Sequence, residues 1–329
     1  MPLKTFADVL DHPRYVELSF AATDRWITPP YLRSAARTAD TPFDVTAILA
    51  GDSVKGPLIL LLAVAPGIEP PDAPAHGHAS DNFRISLCGT LPMGSQRYGA
   101  GEFRFQRGWK PYASDNYAHG TDGGWTMLCF ADRRGARVRH VDPDAPAHGP
   151  ADANLAAWLG IGGDLTSNDP HLTAGDSALA VNFGVSRKPH LNGSYAQASA
   201  WPGVGTDTRA MGALLGDPQR GPLMVMSRTS PNALSASRFT VDTELVHVVV
   251  RGSCTIGDQS RRAGDIRVTR AGAETESVVA GPDGVDELIV LGDRSGALPR
   301  FCGDARGWPS AIEGVRAHLV HALHGGASD

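Results

Sequence analysis

The chain has 329 residues and a formal net charge of −5, with no block of like charges, so nothing electrostatic points to nucleic acid or an anionic membrane as a partner. Its length suits two domains of roughly 100–200 residues each, and its 38 glycines and 24 prolines fit the many turns of an all-β protein. Four cysteines (Cys88, Cys129, Cys254 and Cys302) show no Cys-x-x-Cys spacing, which removes a zinc knuckle and a redox pair from consideration.

In chain order, the opening "MPLKTFADVLDHPRY" lacks the apolar core of a signal peptide. The greasiest run, "PLILLLAVAPG" (57–67), is too short to cross a bilayer. A cytoplasmic protein is therefore expected. Next comes "PAHGHASDNFRISLCGTLPMG" (74–94), in which His76 and His78 stand one residue apart. Two residues of a strand separated by one project from the same face, so both imidazoles can share one ion. The following stretch alternates, with Phe83, Ile85 and Leu87 on one face and Asn82, Arg84, Ser86 and Cys88 on the other. "GEFRFQ" alternates in the same way, and short strands between Gly-rich turns predict a sandwich or barrel.

The chain also repeats itself. "LAGDSVKGPLILLL" (49–62) returns as "LLGDPQRGPLMVMS" (214–227), and "GTLPMGSQRYGAGEFRF" (89–105) returns as "GSCTIGDQSRRAGDIRV" (252–268). "GTDGGWTMLCFADRRG" (120–135) returns as "GPDGVDELIVLGDRSG" (281–296). The order is conserved between the copies, at offsets of about 160 residues. Between them lie a Pro/Ala-rich linker, "DPDAPAHGPADA", and a possible helix, "ANLAAWLGIG". The end, "PSAIEGVRAHLVHALHGG", reads as an amphipathic helix. Its His318, His321 and His324 are read as a match to the helix dipole rather than as a metal cluster. The expected division is a first domain over 1–140, linking elements over 141–213, and a second domain over 214–329.

These residues resemble the cupins, and two units in tandem resemble a bicupin. The cupin signature has two histidines one residue apart, a glutamate four residues after the second, and a glycine seven residues beyond that. A second stretch follows, with Gly-Asp, a Pro/Gly turn and a last histidine. His76, His78, Asn82 and Gly89 fall on the first stretch. Gly101-Glu102 and "RGWKPY" fall on the second, where Tyr112 takes the place of the last histidine. The second copy keeps Gly252, Gly257 and Gly264, but Phe239, Val241, Leu245 and Thr275 stand where the four metal-binding groups would be. The resemblance covers about half of the chain. It implies an all-β fold of two tandem cupin-type β-barrels (double-stranded β-helices), with a few peripheral helices and a C-terminal helix.

For the site, the resemblance implies a divalent transition metal in the first barrel only. Iron(II) is expected first, with manganese, nickel or zinc as alternatives that imidazole ligands suit equally. His76 and His78 are the firm ligands, with Asn82 (through its amide oxygen) and His119 (from a later loop) as further candidates. Tyr112 is open to three roles: ligand, proton donor, or a phenol satisfying a buried group. Arg84 either anchors a carboxylate or enolate substrate or pairs with Glu102. Trp109 and Trp125 are read as core or pocket wall. The cavity of the second barrel is expected to be filled by Leu245, Val241 and Phe239.

Two enzymatic readings follow. One is a metal-dependent oxygenase of the dioxygenase type acting on a small oxygenated substrate such as a diketone or hydroxyketone. The other is a metal-free isomerase, epimerase or cyclase with a histidine base and Tyr112 as acid. A non-catalytic ligand-binding bicupin is the third possibility. A small-molecule substrate is the expected partner, with a homodimer allowed.

Overall fold

The computed structural model describes residues 13–26, 43–52, 54–66, 73–114, 123–136, 138–142, 179–181, 184–186, 188–217 and 220–314. Strands dominate. In chain order, the first fourteen are β1 (Tyr15–Ser19), β2 (Phe43–Leu49), β3 (Leu58–Val64), β4 (Ala73–His78), β5 (Asn82–Gly89), β6 (Leu91–Met93), β7 (Gln96–Tyr98), β8 (Glu102–Gln106), β9 (Tyr112–Ser114), β10 (Gly124–Phe130), β11 (Val138–His140), β12 (Leu179–Val181), β13 (Gly184–Ser186) and β14 (His190–Ser194). The remainder are β15 (Thr208–Leu214), β16 (Leu223–Thr229), β17 (Leu234–Ala236), β18 (Phe239–Thr240), β19 (Leu245–Ile256), β20 (Gln259–Arg262), β21 (Asp265–Thr269), β22 (Val278–Leu291) and β23 (Arg300–Phe301). Residues 309–314 open a helix. The rest of the expected terminal helix, with His318, His321 and His324, lies outside the described residues, as does the expected helix "ANLAAWLGIG".

The repeat read from the sequence is a repeat of topology. One sheet runs β14-β8-β5-β10-β3-β2, and the larger one contains the run β21-β19-β22-β16-β15. Dropping β14 leaves the two orders identical, strand for matched strand. The turns match as well. The Gly56 amide donates to the Asp52 carbonyl at 2.8 Å, and the Gly221 amide to that of Asp217 at 2.9 Å. Arg133 Nε donates to the Gly56 carbonyl at 3.0 Å, and Arg294 Nε to the Gly221 carbonyl at 2.9 Å. The Asp-Arg pieces of the repeat are thus clamps that tie the end of one strand to the preceding hairpin.

Gly89 and Gly252 show why glycine recurs. Their φ values are +71° and +75°. A Cβ on Gly89 would lie 2.0 Å from the Gly123 carbonyl oxygen, and one on Gly252 would lie 2.2 Å from that of Gly284. Any side chain meets both a left-handed backbone and a carbonyl it cannot displace. Gly252→Ala is therefore expected to destabilise the second barrel by about 1–3 kcal/mol, read as a lower midpoint in chemical unfolding.

The domain division differs from the contiguous halves expected. One unit is Ser19–Ser177 with Lys188–Ser194, and the other is Met1–Leu18, Ala178–Arg187 and Tyr195–Asp329. We call these the first and second barrels. The cause is edge pairing: β1 lies beside β21, and β14 beside β8. Each strand covers the otherwise open edge of a matched position. The 15–18 segment therefore belongs to the second barrel, which also begins before residue 214, since β15 pairs along its whole length with β16.

Alternation decides which face of each strand looks inward. In the first barrel Leu58, Leu60, Phe130 and Ala136 form an inner apolar cluster. Phe130 pairs with Asn82 and Leu128 with Arg84, so Asn82, Arg84 and Ser86 share that inner face. On the opposite face Phe83, Phe103 and Phe105 pack ring on ring, with centroids 4.8–5.7 Å apart. In the second barrel the inner face is mostly apolar, with Phe239, Val241, Leu245, Val249, Ile289 and Leu291 in one buried cluster.

The cysteines follow from this packing. All four are free thiols; Cys129 and Cys254 are buried and Cys302 is exposed. Burial pushes the Cys129 thiol up to about 12 and raises that of Cys254, so at pH 8 neither holds appreciable thiolate. A disulfide reagent should modify Cys302 rapidly in the native protein and reach Cys129 and Cys254 only on unfolding.

Candidate active site

Three polar side chains of the first barrel meet at one atom, the phenol oxygen of Tyr112. His76 Nε2 lies 2.8 Å from it and His78 Nε2 3.1 Å. An Arg84 guanidinium N–H donates to it. The Arg84 guanidinium also lies over the Tyr112 ring, 4.2 Å from its centroid, and a second N–H reaches Met93 Sδ at 3.8 Å. His76, His78 and Arg84 are all buried.

Local structure brings these groups together. His76 and His78 alternate along β4, which pairs with β9 so that His76 stands opposite Tyr112. The turn into β9 is pinned twice. The Trp109 amide donates to the His78 carbonyl at 2.7 Å, and the Gly108 amide to the Asp81 carboxylate at 2.8 Å. Trp109 takes a left-handed backbone there, with φ +60°. Asp81 is a positioning residue that the sequence reading passed over. Its place just before the alternating strand was the available signal.

Proton positions follow from the partners. His78 Nδ1 lies 2.9 Å from the Ala136 carbonyl, which can only accept, so Nδ1 carries the hydrogen and neutral His78 turns its Nε2 lone pair to Tyr112. Tyr112 has one proton to give. With that proton on the His78 contact, the phenol oxygen accepts from Arg84 and from a His76 Nε2–H.

Asn82 and Gln106 stand opposite one another on β5 and β8 and are both buried. The Asn82 amide nitrogen donates to the Ser80 carbonyl at 3.4 Å, and that of Gln106 to the Lys110 carbonyl at 2.6 Å. Those bonds fix the amide orientations. They leave Asn82 Oδ1 and Gln106 Oε1 as buried acceptors without a partner among the described residues, a costly state that a donor or cation relieves.

The sequence expectations divide accordingly. His76, His78, Arg84 and Tyr112 converge. The alternative pairing of Arg84 with Glu102 does not form: Glu102 accepts from the Gly99 amide instead. Asn82 shares the face but turns its amide nitrogen to Ser80. His119 lies outside the described residues. Trp125 stacks on Phe20 with centroids 5.6 Å apart.

The donors fit a transition-metal ion. Metal bonds of about 2.0–2.1 Å at right angles place neighbouring donor atoms about 2.9 Å apart, and the two nitrogen–oxygen separations bracket that figure. Two imidazoles and one oxygen donor match the make-up of a facial triad, in which a deprotonated Tyr112 would stand in for the usual carboxylate. Among the described residues no group of three or more His, Cys, Asp or Glu that could hold a metal gathers anywhere, so a third ligand here has to come from another residue type.

In the second barrel Phe239, Val241 and Leu245 are buried in the core as expected, and Thr275 is tied to the Phe239 backbone. The sequence reading missed His247 and Glu287, a buried pair at 2.7 Å. The signal was present: in "LVHVVV" and "DELIVL" each is the lone ionisable residue on an inward, otherwise apolar face.

No family model matches the sequence, and no curated protein does. Solved structures do match. A mutant of the salicylate 1,2-dioxygenase of Pseudoaminobacter salicylatoxidans aligns with a TM-score of 0.50 at 12% identity, over 92% of this chain and 94% of its own. A mutant oxalate decarboxylase of Bacillus subtilis gives 0.42 at 14% identity, over 84% and 76%. A cupin 2 conserved barrel domain protein from Leptotrichia buccalis gives 0.44 at 10% identity, over 81% and 97%. At these identities the likeness is one of fold. Among the described residues no helix is long and apolar enough to cross a membrane.

Proposed function

We propose that this chain, which has the cupin fold in two copies, is a metal-dependent oxygenase whose site is in the first barrel and whose substrate is a small oxygenated organic acid or enol. The observation that carries this reading is the meeting of two imidazole nitrogens and one phenol oxygen at metal-ligand spacing. An iron(II) ion held by His76, His78 and Tyr112 would supply open positions for a chelating substrate and for dioxygen. The rest falls to the protein. The Ala136 carbonyl holds His78 in the tautomer that offers Nε2, as outer partners of ligating histidines do. Arg84 donates to the Tyr112 oxygen and presents a fixed positive charge to a substrate carboxylate or enolate. Asn82 Oδ1 and Gln106 Oε1 accept from a substrate hydroxyl. The existence of a salicylate 1,2-dioxygenase with a similar fold supports this substrate class, a hydroxyl beside a carboxylate.

One observation favours a second reading. Arg84, His76 and His78 also each hydrogen-bond to the Tyr112 oxygen without any metal, which suits a metal-free isomerase, epimerase or cyclase with Tyr112 as the proton carrier. Exhaustive chelation separates the two. Dioxygen uptake with hydroxybenzoates and diketones, and deuterium exchange into a hydroxyketone, are measured before chelation, after it, and after iron(II) return. The oxygenase reading expects uptake that vanishes and comes back with iron. Undiminished exchange after chelation, with no uptake at any stage, overturns it in favour of the relay.

A further inference from the structure

Six buried side-chain nitrogen or oxygen atoms lack a hydrogen-bond partner among the described residues. Four of the six share one face of three neighbouring strands of the first barrel. They are Asn82 Oδ1 on β5, Gln106 Oε1 and Arg104 Nε on β8, and Thr126 Oγ1 on β10. Asn82 stands opposite Gln106 and Arg84 opposite Arg104, while Thr126 stands opposite Ser86, which sets all of them on the inner face. Buried polar atoms are ordinarily satisfied, so orphans gathered on one face point to a polar ligand there.

The two arginines give that ligand a sign. Like charges directly across a ladder repel, and a buried cation is costly unless an anion compensates it. Arg84 is 3% exposed, and its guanidinium N–H groups go to the Tyr112 oxygen and to Met93 Sδ. Arg104 is half-buried and donates to the Tyr98 hydroxyl at 3.5 Å, the outer limit of a hydrogen bond. Asn192, opposite Arg104 on β14, is taken up by Tyr98 and Gln96. Glu102, on the same strand as Arg104, accepts from the Gly99 amide. Neither arginine is therefore paired with a carboxylate among the described residues. The unbalanced charge is felt nearby: burial lowers the pKa of His190, and Arg104 lowers it further.

We infer that Arg104 is a specificity-determining residue that holds the carboxylate of an organic acid bound in the first barrel. Arg84 supplies the second positive charge from the facing strand. The pair makes the site selective for acids over uncharged molecules of the same shape, which narrows the substrate to the acid rather than the enol or diketone. The inference rests on the first barrel being the substrate site, as proposed above, but not on the metal or on reaction with dioxygen.

The test is calorimetric titration of the full-length, chelated protein with ortho-hydroxybenzoate and with its uncharged amide, ortho-hydroxybenzamide. The parent should bind the acid about tenfold more tightly than the amide, the share of a hydrogen bond to a charged group. Arg104→Gln should remove that preference by weakening the acid about tenfold while leaving the amide unchanged. Arg104→Lys keeps the charge without the planar fork, so it should recover part of the preference. The melting temperature of Arg104→Gln should not fall, because the only bond lost is the long one to Tyr98. A lower melting temperature with both ligands weakened alike would make Arg104 structural and overturn the inference. So would a parent that does not prefer the acid, or a preference that survives in Arg104→Gln. All of this is read without iron. An acid preference that depends on Arg104, with no dioxygen uptake after iron(II) return, would remove the oxygenase reading and leave this inference standing.

Discussion

Glu287→Ala should cost the second barrel roughly 3–5 kcal/mol, because it strands several buried donors at once and each left without its acceptor costs about 1–3 kcal/mol. The carboxylate is fully buried and sits between two strands, with Val249 across one ladder and Ser227 across the other. Removing it strands more than His247. Ser235 loses its acceptor while still receiving from Thr229 at 2.9 Å, and Thr229 in turn is linked to Thr208 at 3.2 Å. For an unfolding unit of this size the loss corresponds to about 10 °C or more in melting temperature. Glu287→Gln keeps the volume and one acceptor oxygen, so a smaller fall is expected. Differential scanning calorimetry of the two variants checks both numbers. A Glu287→Ala protein that melts within about 2 °C of the parent would mean the network contributes nothing net.

The second large effect is a crossed pair of outcomes. His78→Ala should abolish metal binding and turnover with little loss of stability, because it removes a ring from a polar inner face and deletes one bond to the Ala136 carbonyl, worth about 0.5–1.5 kcal/mol. Leu245→Ala should do the opposite. Leu245 is 3% exposed within the apolar cluster of the second barrel, and losing a buried leucine costs roughly 2–5 kcal/mol through transfer and cavity terms. Metal content per folded molecule should be unchanged. The two residues occupy the inner faces of the two barrels, so a reversed result would move the active site to the second barrel.

The parts of this architecture written in local periodicity were legible in the sequence. Alternation in "NFRISLC" assigned Asn82, Arg84 and Ser86 to one face, and the pairing of β5 with β10 places them inward. The glycine skeleton marked matched turns because a left-handed backbone beside a carbonyl admits no side chain. Long-range pairing was not legible. Glu17 reaches Arg267 across 250 residues, and nothing near Glu17 indicates that β1 completes the second barrel. The convergence of Arg84 on Tyr112 was hidden for the same reason, since it depends on how the β9 turn is pinned by Asp81 and His78. His247 and Glu287 were readable as lone ionisable residues on apolar faces, but the metal-ligand spacing directed the reading elsewhere.

The most direct test of the account is the metal content of untagged protein, measured beside its Tyr112→Phe variant after equilibration with iron(II) under anaerobic conditions. The account predicts about one equivalent in the parent and a severalfold weaker site in Tyr112→Phe, which keeps both histidines and the ring but lacks the oxygen that completes the donor set. Less than about a tenth of an equivalent in the parent, or equal loading of parent and variant, would contradict it.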